Sequence, residues 1–201
     1  GHEGRLSDLI ESYPALQNPV TEFLTTDEDD TELVGRLKNT LEGAGLSYAD
    51  VVRVVEYVRP EGIERYAEAA AAREAVFGAH RPAVNTVPVR ALLRPDAYIE
   101  IELTAGPVGA ETRFEGGLPS ARESAGVVFL PTIQPVDADG KIIGAGDVVA
   151  QTQAIFEQAQ KLLAALGLGF DSVVKTLDYI TPAALADYRY TGRVRKAHLG
   201  P

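Results

Sequence analysis

The 201-residue chain contains no cysteine and no methionine. Without cysteine there is no disulfide, no thiol nucleophile and no thiolate metal site. That absence fits the cytoplasm, which is the expected location. Without methionine the sequence does not open on an initiator, so Gly1-His2 reads as a processed end or a tag remnant. Positive charge is scarce: 19 Lys and Arg stand against 29 Asp and Glu, a formal net charge of −10. With no basic patch interleaved with aromatics, nucleic acid is not an expected partner. No signal-peptide pattern and no bilayer-length apolar run occur, so neither is a membrane. The three histidines, His2, His80 and His198, are separated and lack metal-ligand spacing with carboxylates, so no metal is expected. Gly116-Gly117 and Gly144-Ala145-Gly146 read as turns rather than as a P-loop or dinucleotide fingerprint, and no nucleophile elbow is present.

What remains is an ordinary apolar fraction, 45%, enough for a packed core. The most unusual stretch runs from Pro82 to Gly106, two strands about a polar turn at Arg94-Pro95-Asp96. In the second strand, alternation puts Tyr98, Glu100 and Glu102 on one face and Ile99, Ile101 and Leu103 on the other. Two carboxylates in so apolar a segment mean either a wet face or a carboxylate held where a ligand meets it.

Leu6, Leu9 and Ile10 have helical spacing, interrupted by Pro14, Asn18 and Pro19. Leu33, Val34, Leu37 and Leu41 form one stripe of a helix over 31–44, stopped at Gly45. Val51 to Val58 is a buried strand, and Ile63 to Phe77 an alanine-rich helix. The stretch 106–119 is the best linker candidate. After it come a strand at 127–130 and the turn Asp137-Ala138-Asp139-Gly140 between Val136 and Ile142. A long helix capped by Asp147 follows, then a strand at 173–180 and a helix at 185–199.

The second series repeats the first at a constant offset of 122 residues. Gly45-Leu46 matches Gly167-Leu168, Val51-Val52 matches Val173-Val174, and Tyr57, Pro60, Tyr66 and Arg73 match Tyr179, Pro182, Tyr188 and Arg195. The chain therefore reads as α+β, two tandem modules at 1–106 and 107–201, each a mixed sheet with two helices on one face. Module one owns its two closing strands, whereas module two ends before its own. A shortened sequence, a processed subunit, or strands supplied by a second fragment or chain would each account for this, and a sheet without those strands would leave an unpaired edge.

Gly45 to Val58 and Gly167 to Ile180 resemble the helix-to-strand joint of the RidA/YjgF family. His80 to Val87 with Tyr98 to Glu102 resembles its closing strands, and 127–140 its opening hairpin. The resemblance implies a fold similar to bacterial trimeric chorismate mutase, a trimeric or pseudo-trimeric homo-oligomer with clefts between subunits. It also implies hydrolysis of a small imine or enamine substrate without a cofactor. By family position Glu100 would place the attacking water, and Thr86 would contact substrate through its backbone. Three other family site residues are replaced: Val84 stands at the carboxylate-clamping arginine, Leu118 at a tyrosine and Pro131 at a serine. Asn85 could line the cleft, and Arg90 or Arg94 could replace the clamp. Glu102 reads as structural, and Tyr57 and Tyr179 as core aromatics. The expected function is a diverged imine- or enamine-hydrolysing enzyme. The alternatives are a non-catalytic ligand-binding or assembly subunit and a biosynthetic enzyme of chorismatase-like layout.

Overall fold

The computed structural model describes residues 20–25, 30–112 and 120–200, with the side chains of 20–25 and 30–34 outside that description. The readings at Leu6, Leu9, Ile10, Leu118, and the Leu33 and Val34 side chains therefore fall outside the described residues. Two compact units are present, residues 1–132 and 133–201. Among the described residues no helix is long and apolar enough to cross a membrane.

The first unit is built on a four-stranded sheet. Its strands are β1 (Val20–Thr25), β2 (Val51–Val58), β3 (Ala83–Pro88) and β4 (Ala97–Ala105). The spatial order is β1-β4-β2-β3, with β2 parallel to β3 and antiparallel to β4. Five valines make β2 a strand by composition, and its central place buries both of its faces: Val51, Val52, Val54 and Val55 are all at 0–1% exposure.

Helix α1 (Asp30–Gly43) packs Leu37 and Leu41 against Val51, Val54 and Leu103. Partly buried Leu46, Tyr48, Phe77, Val84 and Ile101 close around that core. The helix ends where expected. Leu46 N–H donates to Leu41 O at 2.9 Å and Gly45 N–H to Glu42 O at 2.9 Å, with Gly45 at φ +73°. The helix expected at 63–77 is interrupted. Pro60 starts a single turn, α2 (Pro60–Ile63), and α3 (Tyr66–Phe77) follows. Gly62 in that turn lies against β4, so that a Cβ there would stand 2.9 Å from Tyr98 O.

A second, three-stranded sheet belongs to the same unit: β5 (Glu111–Thr112), β6 (Ala121–Ser124) and β7 (Val127–Phe129), in that order. Among its described residues, the linker expected at 106–119 thus contains one short strand, β5. Compactness carries the first unit on to Thr132. The physical reason is polar. Arg122 donates to Arg81 O from Nε at 3.0 Å and Nη2 at 2.7 Å, and Asn85 Nδ2 donates to Thr132 Oγ1 at 2.8 Å.

In the second unit the Val136–Ile142 bridge closes the predicted turn, with Asp137 Oδ1 accepting from Asp139 and Lys141 N–H groups. Helix α4 (Val148–Ala165) is capped by Asp147, whose Oδ1 accepts from Val149 N at 2.9 Å and Ala150 N at 3.0 Å. Its far end repeats that of α1: Leu168 N–H donates to Leu163 O at 2.8 Å and Gly167 to Ala164 O at 3.0 Å, with Gly167 at φ +71°. The 3-10 turns Tyr48–Asp50 and Phe170–Ser172 also stand 122 residues apart.

Two expectations for this unit need correction. Residues 173–180 form no strand and belong to neither sheet. β2, at the matching place, has a neighbour on each edge, and among the described residues 173–180 has none. The helix expected at 185–199 is α only over α5 (Gly192–Leu199), preceded by 3-10 turns at Pro182–Ala184 and Tyr188–Thr191.

Candidate active site

Register decides which side chains share a face. On β2, Arg53, Val55 and Tyr57 stand opposite Thr104, Glu102 and Glu100 of β4, and opposite Ala83, Asn85 and Val87 of β3. The intervening positions, Val54, Glu56, Val84, Thr86, Ile101 and Leu103, point to the face beneath the helices. The sequence reading of β4 therefore holds: Glu100 and Glu102 share one face, with Ile99, Ile101 and Leu103 on the other.

On the Glu100 face the polar groups form a row. Arg53 Nε donates to Asn85 Oδ1 at 3.2 Å, and its Nη1 lies 3.6 Å from Glu102 Oε1. Asn85 is 7% exposed and spends its amide on Thr132. Glu100 stands two residues further along β4, half-buried. Burial, and then the neighbouring charge of Glu102, raise its pKa above the ordinary carboxylate value. A carboxyl poised in this way can both accept and return a proton.

The other predicted residues are placed elsewhere. The Thr86 side chain turns under the helices, away from Glu100, which leaves only its backbone for the expected contact. Val84 packs on the core beneath the helices, so position 84 and Glu100 project to opposite faces of this sheet. Arg90 and Arg94 lie exposed in the β3–β4 loop, where Arg94 Nη2 is 3.4 Å from Asp96. Pro131 is buried. Among the described residues no three His, Cys, Asp or Glu converge as a metal site.

Sequence reasoning missed two features. The first is Arg53, the cation of the Glu100 face. Its signal was available, because Arg53 alternates with Val55 and Tyr57 along β2. The second is a buried cluster under the helices. Glu56, 1% exposed, takes Arg73 Nη1 at 2.5 Å on one oxygen, and Tyr66 Oη at 2.7 Å and Thr86 Oγ1 at 3.2 Å on the other. Burial opposes the charge of Arg73, but Glu56 and the hydrogen bonds outweigh it and raise the guanidinium pKa. For Tyr66 burial acts the other way and is the main cause that raises its pKa, because it disfavours the phenolate. In the second unit Asp178 is held in the same way, by Tyr188 Oη at 2.5 Å and by the Arg195 guanidinium. Each of the three residues lies 122 positions after its counterpart.

The family model for endoribonuclease L-PSP proteins, the RidA/YjgF group, matches residues 17–106, the span that carries the whole four-stranded sheet. The chain belongs to the RidA/YjgF family. It is similar to a member of the YjgF/YER057c/UK114 family from Mycobacterium tuberculosis, at 31% identity over 44% of this chain and 75% of that one, with a TM-score of 0.40. It is also similar to a Rid-family protein from Yersinia pestis, at 32% identity over 42% of this chain and 66% of that one, with a TM-score of 0.35. No curated protein matches. Within this RidA/YjgF chain the α+β architecture of the first unit, a mixed sheet with helices on one face, agrees with the sequence expectation.

Proposed function

We propose that this RidA/YjgF protein hydrolyses a small imine or enamine, with Glu100 positioning and deprotonating the water. The observation that carries this reading is Glu100 itself: half-buried on the face away from the helices, with its pKa raised by burial and by Glu102. As a carboxylate, Glu100 takes a proton from water as the water oxygen bonds to the imine carbon. The C=N π pair moves to nitrogen, which takes that proton from Glu100 to give a carbinolamine. Glu100 then accepts the hydroxyl proton as the carbonyl forms and passes it to nitrogen as the C–N bond breaks, so that a carbonyl compound and ammonia leave. No step needs a cofactor. Positive charge for a substrate carboxylate comes from Arg53 on the same face, or from Arg90 and Arg94 reaching from the β3–β4 loop of another subunit.

The repeated caps and carboxylate–tyrosine–arginine clusters support tandem RidA-like modules, and the family reading supports a cytoplasmic homo-oligomer with clefts between subunits. The test is ammonia release from freshly generated 2-iminopropionate by the chain and by Glu100→Ala. A wild-type rate at least 100-fold above the variant is expected. Equal rates would leave the second reading, a ligand-binding or assembly subunit. That alternative is favoured by Val84, an apolar residue at the position of the family's carboxylate-clamping arginine.

A further inference from the structure

The two units differ in how their helices are filled in. In the second unit an aromatic stack ties α4, the 3-10 turn and α5 together. His198 of α5 stacks on Phe156 of α4 at 5.1 Å, and Phe170 of the turn lies 5.0 Å from the same ring. Thr191 and Val194 are also buried. Their counterparts 122 residues earlier are Val34, Tyr48 and Val76 for the stack, and Ala69 and Ala72 for the buried pair. With these smaller residues α3 has no fully buried residue, although its Phe77 packs on the core. A recess of about 500 Å³, open to solvent on one side, remains between α1, α3 and the sheet. That volume suits a small molecule, whose pockets span about 300–1,000 Å³. The second unit shows how the chain closes such a space with side chains of the elements around it. In the first unit Tyr48 and Val76, at two of the three stack positions, line the recess instead.

Charge decides what the recess can take. Its walls are apolar, Leu37, Ala69, Ala72, Phe77 and Ile101 among them, and its charged residues are Glu56 and Arg73. These two neutralise one another, and Glu56 is further satisfied by Tyr66 and Thr86. Arg73 engages its partners through Nη1, and among the described residues its Nε and Nη2 make no hydrogen bond. A carboxylate beside this balanced pair would bring an uncompensated charge against apolar walls. A carbonyl oxygen would accept from Arg73 without adding charge. We propose that the recess beneath α3 binds a compact, neutral aromatic carbonyl compound, its ring against Ala69, Ala72 and Phe77 and its oxygen on Arg73. This inference is independent of the chemistry at Glu100, which lies on the opposite face of the sheet.

The probe is 4-fluoroacetophenone, titrated into the full chain and followed by fluorine NMR. Saturable binding is expected, with methyl shifts of the protein confined to the recess, at Leu37, Ala69, Ala72 and Ile101. Fluorobenzene, which lacks the acceptor, should bind several-fold more weakly, and 4-fluorobenzoate at least tenfold more weakly. Ala72→Leu enlarges the side chain where the second unit has Val194, and should weaken 4-fluoroacetophenone at least tenfold. The methyl map of the wild-type chain locates the probe without any variant, so the assignment does not depend on how well Ala72→Leu folds. No saturation up to the solubility limit would overturn the proposal, as it must if other residues of the chain fill the recess. Methyl shifts elsewhere, equal binding of 4-fluorobenzoate, or undiminished binding by a folded Ala72→Leu chain would overturn it as well.

Discussion

Glu56 and Glu100 are separated by one residue of register and by the plane of the sheet, and that plane sets their roles. Glu56 is fully enclosed and satisfied by Arg73, Tyr66 and Thr86, so it fastens β2 to α3. Removing the cation would leave a buried carboxylate unpaired, which costs about 3–5 kcal/mol. Arg73→Ala should therefore lower the urea midpoint strongly, and replacing Glu56 by Gln in that background should recover part of the loss. If Arg73→Ala melted like the wild type, the cluster would have no structural role. Glu100 carries the opposite sign of linkage. Its folded pKa is raised above the ordinary 4.5, so the folded state holds the proton more tightly than the unfolded chain does. Its stability contribution is full below the ordinary carboxylate pKa and is lost as pH rises through the raised value. Glu100→Gln should thus melt above the wild type at pH 7, with the advantage fading toward pH 4. An advantage that grew on acidification would contradict the assigned burial.

At the scale of elements, legibility followed the range of the forces involved. Helices α1 and α4 were readable because their signals are local: Leu37 and Leu41 on one stripe, Asp147 before the first turn, Gly45 and Gly167 after the last. The Asp147 cap is expected to be worth about 1 kcal/mol, so Asp147→Ala should reduce stability by that amount in denaturant titration. The β4 alternation was equally readable, because a two-residue period assigns faces once the strand exists. The strand at 173–180 was not, since its composition asks for neighbours that composition cannot supply. Nor was the break between α2 and α3, where Gly62 meets the Tyr98 carbonyl. Gly62→Ala should be destabilising by about 1–3 kcal/mol, because the contact is with backbone that cannot turn aside. Thr86 is placed at the cleft by family position alone, and the pairing of β2 with β3 shows that its side chain serves Glu56. The role of Arg53 was not legible because its partners, Asn85 on β3 and Glu102 on β4, reach it only through strand pairing.

At the scale of the molecule, the sheet order leaves β1 and β3 as edges, and the β3–β4 loop presents Arg90, Leu93 and Arg94. Leu93, 86% exposed, lies between Arg90 and Arg94, where a subunit contact in the proposed assembly would cover it. In the proposed assembly the same loop would supply the clamp that Val84 lacks. No arginine at position 84 could reach Glu100 within its own sheet, because the two positions face opposite ways. A cation brought by a loop from a second subunit could, and assembly would then complete the site. The chain should consequently scatter light as a particle larger than its 21.5 kDa monomer at micromolar concentration. Leu93→Asp should shift it toward the monomer and lower imine hydrolysis in parallel, whereas Arg90→Ala and Arg94→Ala should raise KM for a carboxylate-bearing substrate while leaving the mass unchanged. A monomeric wild type with full activity would place the substrate's cation within the subunit and make Arg53 the residue to examine. Loss of activity in Leu93→Asp at unchanged mass would instead assign that loop a direct part in the cleft.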